Sequence, residues 1–363
     1  MKKFLLIIVS VMMLITAVGC GQTKTDTKKT VNPVKRDQKI VGVLMPHRES
    51  PRWIKDGNNL RYEFEKRGYK VDLQSSDNDV ERQRSQLKYM IDNGADAIII
   101  TPIDSGALSD VLVGAKEKNI PVIAYDRLVM NSDAVSFYVS FDNKAVGRLF
   151  GEYIENTFAL NSGAGFCNAE IFSGSASDSN AEVIYEGLLE VLQPYIDNGQ
   201  IRIPSGQIAF EETATYLWRK EEAQKRMTNL LNSVYGNGTR LDAVICSSDV
   251  IANGIVNVLN NSSLRPIITG QDGDLYSIQY IVAGKQAMTV FKDSRLLADK
   301  CAHVVESIFN GTLPEVTDNM TYNNGEMIVP SYLCEPILIT KDNIKEHLLD
   351  TGYYAPEEVG LSE

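Results

Sequence analysis

Short apolar runs alternate along the chain with longer segments in which apolar residues recur every three or four positions. Runs at residues 39–45 and 97–101 predict buried strands, whereas the segment 53–67, which ends at Gly68, has the spacing of an amphipathic helix. The pattern continues with strands and helices in alternation, at residues 69–73, 80–93, 106–118 and 121–125. Strands and helices alternating at this pitch predict βαβ units, so we expect an α/β fold with parallel sheets covered on both faces by helices.

The second half of the chain repeats the first. Residues 96–100 read DAIII and residues 242–246 read DAVIC, and a turn containing Ser and Asp follows each. A second apolar strand begins at Pro121 in the first half and at Pro266 in the second, 25 and 24 residues after Asp96 and Asp242. Chance apolar runs rarely keep such a spacing, so the sequence predicts two similar α/β domains in tandem.

Asp126 and Asp272 follow equivalent strands of the two halves. Open parallel sheets bind ligands beyond the carboxyl ends of their strands. If the halves face each other, both carboxylates point into the cleft between them. Either residue alone could simply cap a turn or helix, but the symmetric pair favours a binding role.

The N-terminus is typical of a secretory signal, with Lys2 and Lys3, an apolar run and small residues before Cys20. The apolar run, about 15 residues, is shorter than the roughly 20 that span a bilayer. The cleavage site resembles the lipobox of bacterial lipoproteins. The resemblance predicts a signal peptide at residues 1–19 and a lipidated Cys20, and the polar residues that follow predict a flexible tether up to residue 37. The alternative is an ordinary cleaved signal with a chance cysteine. A lipid-anchored extracytoplasmic protein would have no access to ATP, NADH or nucleic acid.

The remaining body, more than 320 residues long, exceeds what a single core usually covers, so we expect two domains. Its 29 basic and 45 acidic residues give a formal charge of −16, which would be repelled by nucleic acids and anionic lipids. The body holds four cysteines without metal-binding spacing, which could remain free or form two bridges. They are Cys167, Cys246, Cys301 and Cys334.

The motifs of common catalytic sites are absent from the sequence. It contains neither a GxxxxGK[ST] nor a strand-linked GxGxxG phosphate loop, and neither HExxH nor GxSxG. Its three histidines, His47, His303 and His347, are far apart, so neither a metal site nor a His-based triad is expected. Two carboxylates could serve a glycosidase, but cationic neighbours favour their permanent ionisation. The chain is therefore predicted to bind a ligand rather than to catalyse a reaction, without a cofactor or metal.

Further polar and aromatic residues accompany the two aspartates near the predicted strand ends. They are Arg52, Trp53, Arg127, Asn180, Trp218 and Lys292. Carboxylate, cationic and amide groups can bind the hydroxyls of a sugar, and indole faces can cover its apolar C–H face. Two carboxylates against three cations nearly balance, which favours a neutral polyol. Ordinary core packing for Trp218 and a solvated charge for Arg52 remain alternatives.

At these residues the chain resembles the monosaccharide-binding proteins of bacterial ABC importers, most closely those for xylose and for multiple sugars. The specific segments are RWIKDGNN at 52–59, VIAYDRL at 122–128, SFDN at 140–143, GQD at 270–272 and VFKD at 290–293. The resemblance implies sugar contacts at Arg52, Trp53, Asp126, Arg127, Asn180, Trp218, Asp272 and Lys292, with Phe210 as another aromatic candidate. Where ribose- and xylose-binding relatives have Asn-Asp, this chain has Ser248-Asp249. Ser248 would also line the site and leave room for a larger sugar or a water.

The resemblance also implies the architecture and the partners. Type I periplasmic binding proteins have two Rossmann-like lobes joined by a three-strand hinge, here expected at residues 38–140 with 293–325 and at 141–292 with 326–363. The expected function is capture of an aldose (xylose, glucose, galactose or a related sugar) by a monomeric lipoprotein that delivers it to an ABC permease. The alternative is a sensory module whose closed form docks on a histidine kinase or chemoreceptor, and a pull-down with sugar present would separate the two.

Overall fold

The strands and helices follow the predicted alternation in the computed structural model, which describes residues 38–48 and 50–361. The expected signal peptide, Cys20 and tether lie outside the described residues. The strands are β1 Ile40–Met45, β2 Lys70–Ser75, β3 Ala97–Ile100, β4 Val122–Tyr125, β5 Val135–Phe141, β6 Cys167–Phe172, β7 Ile201–Arg202, β8 Ala243–Cys246, β9 Ile267–Ile268, β10 Gln271–Asp272, β11 Met288–Phe291, β12 Ser331–Cys334 and β13 Ile337–Thr340. The α-helices are α1 Pro51–Lys66, α2 Val80–Asp92, α3 Ser109–Glu117, α4 Asn143–Thr157, α5 Ser179–Asp197, α6 Phe210–Thr213, α7 Lys220–Ser233, α8 Asp249–Leu259, α9 Leu275–Val282 and α10 Ser294–Asn310.

The first sheet has the strand order β12-β5-β4-β3-β1-β2, and all its strands are parallel. Its central strands β3 and β4 are completely buried, as their continuous apolar sequences require. Helices α1 and α10 cover one face through Leu60, Phe64 and Leu297, and α2 and α3 cover the other through Leu87 and Leu112. This is the doubly covered parallel sheet that the sequence predicts.

The second half repeats this strand order. Strands β7-β6-β8-β9 form a parallel sheet, and β10-β11-β13 form a smaller sheet in which only β13 is antiparallel. Ala287 donates to Ile268 at 2.9 Å and Val290 donates to Gly270 at 2.8 Å, so the backbone hydrogen bonds join the two sheets. Strands β9 and β10 together are thus the equivalent of β4, which places Asp272 where the first half has Asp126.

The chain passes between the two sheet systems three times. Helix α4 follows β5 of the first sheet and packs on α5 and the second sheet, whereas α10 follows β11 and packs on the first sheet. The third passage lies between Cys334 and Ile337, because β12 pairs with β5 and β13 pairs with β11. The boundary expected near Glu326 is therefore too early in the chain. Residues 331–334 still form an edge strand of the first sheet, and the chain crosses only after them.

All four cysteines of the body are buried and free. Burial raises the pKa of the thiols of Cys167 and Cys334 to about 12, which keeps them protonated at neutral pH. They act as small core residues. No helix in the described part of the chain has both the length and the apolar character needed to cross a membrane.

Candidate functional site: a polar cavity between the two sheets

Asp126 and Asp272 stand at the carboxyl ends of β4 and β10, in the two different sheets. Both have positive φ angles, +62° and +107°, which non-glycine residues rarely adopt and which Asp tolerates better than most. The backbone carbonyl of Asp126 accepts hydrogen bonds from Tyr138 at 2.7 Å, Ser140 at 2.8 Å and the Asn180 amide at 2.7 Å. These three donors fix the unusual backbone and so aim the carboxylate.

Arg52 links the two carboxylates. It lies in the first turn of α1, and its guanidinium forms ion pairs with Asp126 through Nη2 and with Asp272 through Nη1. Its Nε also lies 3.3 Å from Asp56, one helical turn later, and Asp56 accepts a hydrogen bond from Tyr125. The planar guanidinium suits this arrangement because it presents several donors in fixed directions.

The charges of these groups stabilise one another. Burial alone would lower the pKa of Arg52, but the Asp126 and Asp272 carboxylates raise it well above its ordinary value. Burial alone would raise the pKa of Asp126, but the charges of Arg52 and Lys292 outweigh burial and bring it below its usual range. Asp126 is therefore ionised at neutral pH, as its cationic neighbours predict. Burial raises the pKa of Asp56 to about 6 despite its contact with Arg52.

Two tryptophans lie on the wall of the same cavity. The guanidinium carbons of Arg52 and Arg127 lie 4.9 and 5.2 Å from the centre of a Trp53 ring. Trp218 ends a 3₁₀ turn with φ +56° and donates from Nε1 to Asp178 at 3.1 Å. A Cβ on Gly174 would lie 2.0 Å from the Trp218 ring, so this position requires glycine.

The other aromatic candidate, Phe210, packs against Tyr185 with ring centres 5.6 Å apart. Of the two, Trp218 is the one on the cavity wall. Its strained backbone is typical of functional loops, where surrounding contacts hold an unfavourable conformation in place.

Lys292 and Ser248 complete the polar wall of the cavity. Lys292 follows β11, is 2% exposed, and donates to Asn143 at 2.8 Å. Burial lowers the pKa of its ammonium group, and the nearby Asp126 carboxylate offsets part of that effect. Ser248 caps α8 by accepting from the Ile251 N–H at 3.3 Å.

The structure brings all nine residues predicted for the site together on one cavity of about 780 Å³. They are Arg52, Trp53, Asp126, Arg127, Asn180, Trp218, Ser248, Asp272 and Lys292. Apart from Trp218, which lies in a 3₁₀ turn, they come from the carboxyl ends of strands in both sheet systems and from the starts of the helices that follow. This is where open parallel sheets place their ligand sites.

The chain matches the model of the periplasmic binding protein domain over residues 41–313. This protein belongs to the periplasmic binding protein family. It is 42% identical to the multiple sugar-binding periplasmic protein SbpA of Azospirillum brasilense, with 93% of this chain and 95% of that protein aligned. It is 35% identical to the D-xylose-binding periplasmic protein of Escherichia coli K12, over 88% and 92% of the two chains.

A solved relative shares the fold and much of the sequence of this periplasmic binding protein. It is an ABC transporter solute binding protein from Clostridium phytofermentans with bound β-D-glucose, 46% identical, with a TM-score of 0.87. The similarity covers 88% of this chain and all of that one. The fold is therefore that of the type I periplasmic binding proteins, and these relatives are binding proteins rather than enzymes.

Several residues of the cavity escaped the sequence reasoning. His47, Asp178, Gln271 and Asp274 also line it. Asp178 forms an ion pair with Arg127 at 2.7 Å, which holds the guanidinium in place, and burial raises the pKa of Asp178. Asp274 follows Asp272 by two positions, where the first half of the chain has Leu128, so the repeat gives no signal for it. His47 and Asp178 sit in loops, and Gln271 directly precedes Asp272 in β10.

Two of these cavity groups titrate far from their ordinary range. Burial, reinforced by Arg127, lowers the pKa of His47 to about 4, so it is neutral at pH 7. Burial and the Asp272 carboxylate raise the pKa of Asp274 to about 7. Among residues 38–48 and 50–361, no group of three or more His, Cys, Asp or Glu is placed to hold a metal ion.

Proposed function

We propose that this protein captures a monosaccharide (xylose, glucose, galactose or a related aldose) in the cavity and delivers it to an ABC transporter. The observation that carries the proposal is the bridge from Arg52 to Asp126 and Asp272. It places two carboxylates, one from each sheet system, and a guanidinium around one space, next to two indoles. A sugar offers hydroxyls to the former and a C–H face to the latter.

The relatives support the same ligand class. Two are described as binding multiple sugars or D-xylose, and the solved relative holds β-D-glucose. The nine cavity residues are proposed as the sugar contacts, with Ser248 leaving room that a strict pentose site would not need. A breadth of ligands across pentoses and hexoses follows from this proposal.

The proposed mechanism is closure of two lobes on the sugar. We infer that the lobes divide near residues 140 and 292 and after Cys334, where the chain passes between the sheet systems. Because the sugar contacts groups from both lobes, it binds the closed state more tightly and shifts the population towards it. A permease can then recognise the closed form.

Isothermal titration of the full-length chain, purified in mild detergent and dialysed free of sugar, tests the ligand class. Xylose, glucose, galactose, arabinose, ribose and fucose are titrated in turn. We expect micromolar or tighter binding of at least one. Absence of heat with all six, from protein with a native circular dichroism spectrum, would refute an aldose-binding function.

Delivery to a transporter is favoured over sensing because the 46% identical relative is itself an ABC transporter solute binding protein. The test is a pull-down from membranes with and without the bound sugar. Sugar-dependent recovery of a permease is expected. Recovery of a histidine kinase or chemoreceptor instead would favour the sensory alternative.

We also propose that the protein is anchored outside the cytoplasm by lipid on Cys20. The periplasmic relatives support the extracytoplasmic location, and the N-terminal sequence supports the anchor. Cys20→Ala should move the protein from the membrane fraction to the soluble fraction. An unchanged membrane fraction would count against the lipid anchor.

A further inference from the structure

The cavity extends beyond the two aspartates along a groove between α8 and α9. Its wall there consists of Asn253 and Asn257 from α8 and of Tyr276 and Tyr280 from α9, which we call the outer groove. The two residues of each pair are four positions apart, so each helix contributes a single face. From Val250 to Asn257 the wall runs for about 10 Å at the helical rise.

The outer groove is built by contacts between the two helices. Tyr280 donates to Asn257 at 3.5 Å, and the Asn253 amide nitrogen donates to Ser277 at 3.4 Å. These bonds orient the amide groups along the wall. Tyr276 lines the cavity and is 63% exposed, so part of its ring is free to contact a ligand.

Two buried acceptors lack a partner, one in the outer groove and one beside Asp272 where the groove begins. The side-chain oxygens of Gln271 and Asn253 are buried without a hydrogen-bond donor among the described residues. Gln271 is 4% exposed and directly precedes Asp272, whereas Asn253 lies one turn into α8. Buried acceptors are normally paired, and leaving one unpaired costs about 1–3 kcal/mol. A ligand bearing hydroxyl groups would supply the missing donors.

The size of the cavity also favours a ligand larger than a monosaccharide. A volume of about 780 Å³ falls in the upper part of the range, roughly 300–1,000 Å³, that holds drug-sized ligands. A monosaccharide is much smaller than such ligands. The four outer-groove residues are uncharged and combine amide groups with aromatic faces, which is the chemistry that suits a neutral sugar ring.

We infer that the outer groove holds the second ring of a disaccharide whose first ring lies between Asp126 and Asp272. The inference rests on the proposed sugar-binding function and specifies its ligand class further. The first ring would use the charged groups of the inner cavity. The second would donate hydroxyls to Gln271 and Asn253 and stack on Tyr276.

Titration of the full-length protein with glucose and xylose, and then with cellobiose, maltose and xylobiose, tests the inference. We expect at least one disaccharide to bind with a Kd within tenfold of that of its own monosaccharide. If every disaccharide binds more than tenfold more weakly, the second-ring site is refuted while the monosaccharide function stands. Absence of binding by all five sugars, and also by galactose, arabinose, ribose and fucose, would instead contradict the proposed function itself.

Substitutions then localise the second ring. Tyr276→Ala and Asn253→Ser should each weaken the disaccharide at least five times more than the monosaccharide. Tyr62→Ala is the matched control, because Tyr62 is 62% exposed on α1 and lies off the cavity wall; it should leave both affinities unchanged. Equal effects of the two groove variants on both sugars would overturn the assignment.

Discussion

Asp126 and Asp272 occupy equivalent strand ends in two different sheets, hold left-handed backbone conformations, and pair with the same guanidinium. The same geometry thus occurs twice in the chain, once in each half. Nothing in the core requires a charge at these positions, since each carboxylate faces the cavity. Their shared conformation places both carboxylates on the wall of one cavity, as the proposed sugar site requires.

Asp126→Asn and Asp272→Asn should each weaken sugar binding at least tenfold. A charge-assisted hydrogen bond contributes about 1.5–3 kcal/mol, which corresponds to roughly a tenfold to 150-fold change in Kd. Asparagine tolerates positive φ, so the backbone conformation is preserved. Calorimetric titration measures the affinity, and thermal unfolding provides the control for folding. Wild-type affinity in both variants would remove the two carboxylates from the binding site.

The pH dependence of stability should reveal the buried carboxyl of Asp56. Its pKa is raised to about 6 in the folded protein, against about 3.9 in an unfolded chain. A raised folded-state pKa means that this group stabilises the fold below about pH 4 and that this contribution is lost as the pH rises through 6. Two pKa units correspond to about 3 kcal/mol.

Asp56→Asn removes this titration. Relative to wild type, its free energy of unfolding should therefore rise by up to about 3 kcal/mol between pH 4 and pH 7. Urea denaturation at intervals across that range measures the difference. Asp72→Asn, on the partly exposed strand β2, serves as a comparison outside the cavity wall. A constant difference between Asp56→Asn and wild type over the whole range would show that Asp56 titrates normally.

Local patterns predicted the strands, the repeat and the two aspartates because each depends on residues close in sequence. The strand end after an apolar run identifies Asp126 without any knowledge of its neighbours. In contrast, Asp178 matters through Arg127, which folding brings against it. Asp56 lies one helical turn after Arg52, but its burial and its hydrogen bond from Tyr125 arise only in the folded chain. The third chain passage was misplaced for a similar reason: the pairing of β12 with β5 joins residues almost 200 positions apart.

Asp249 should influence binding although it lies behind the cavity wall. It is completely buried and accepts from the backbone N–H of Asp274 at 2.8 Å and from Thr289 at 2.9 Å. A Cβ on Gly270 would lie 2.1 Å from its Oδ1, so the turn that carries Asp272 is built around this carboxyl group. Asp249 is therefore a positioning residue for Asp272.

Asp249→Ala should weaken binding of every monosaccharide by a similar factor, about fivefold to tenfold, since a loosened turn disturbs the Asp272 contact that these sugars would share. A merely structural role would instead lower the melting temperature and leave the affinity of the folded protein unchanged. Titration below the melting temperature distinguishes the two. Thr289→Val, which removes one partner of Asp249 but spares the bond to Asp274, should have a smaller effect on Kd.

Tyr354 connects helix α1 to the turn after Asp272. Its hydroxyl accepts from Lys55 Nζ at 3.0 Å and donates to the carbonyl of Gly273 at 2.9 Å, and Lys55 also lies 4.4 Å from the centre of the Tyr353 ring. Lys55 stands one turn after Arg52 on α1, so the hydroxyl ties the helix that carries Arg52 to the turn that carries Asp272.

Tyr354→Phe keeps the ring and removes both hydrogen bonds. It should lower the free energy of unfolding by about 1–3 kcal/mol, because each of the two lost hydrogen bonds contributes about 0.5–1.5 kcal/mol. It should also increase the sugar dissociation rate, because the contact between Arg52 and Asp272 loses its support. Stopped-flow fluorescence of Trp53 and Trp218 measures that rate, with the exposed Tyr89→Phe as control. A dissociation rate equal to wild type would show that the C-terminal segment is only packed against the site and does not hold it together.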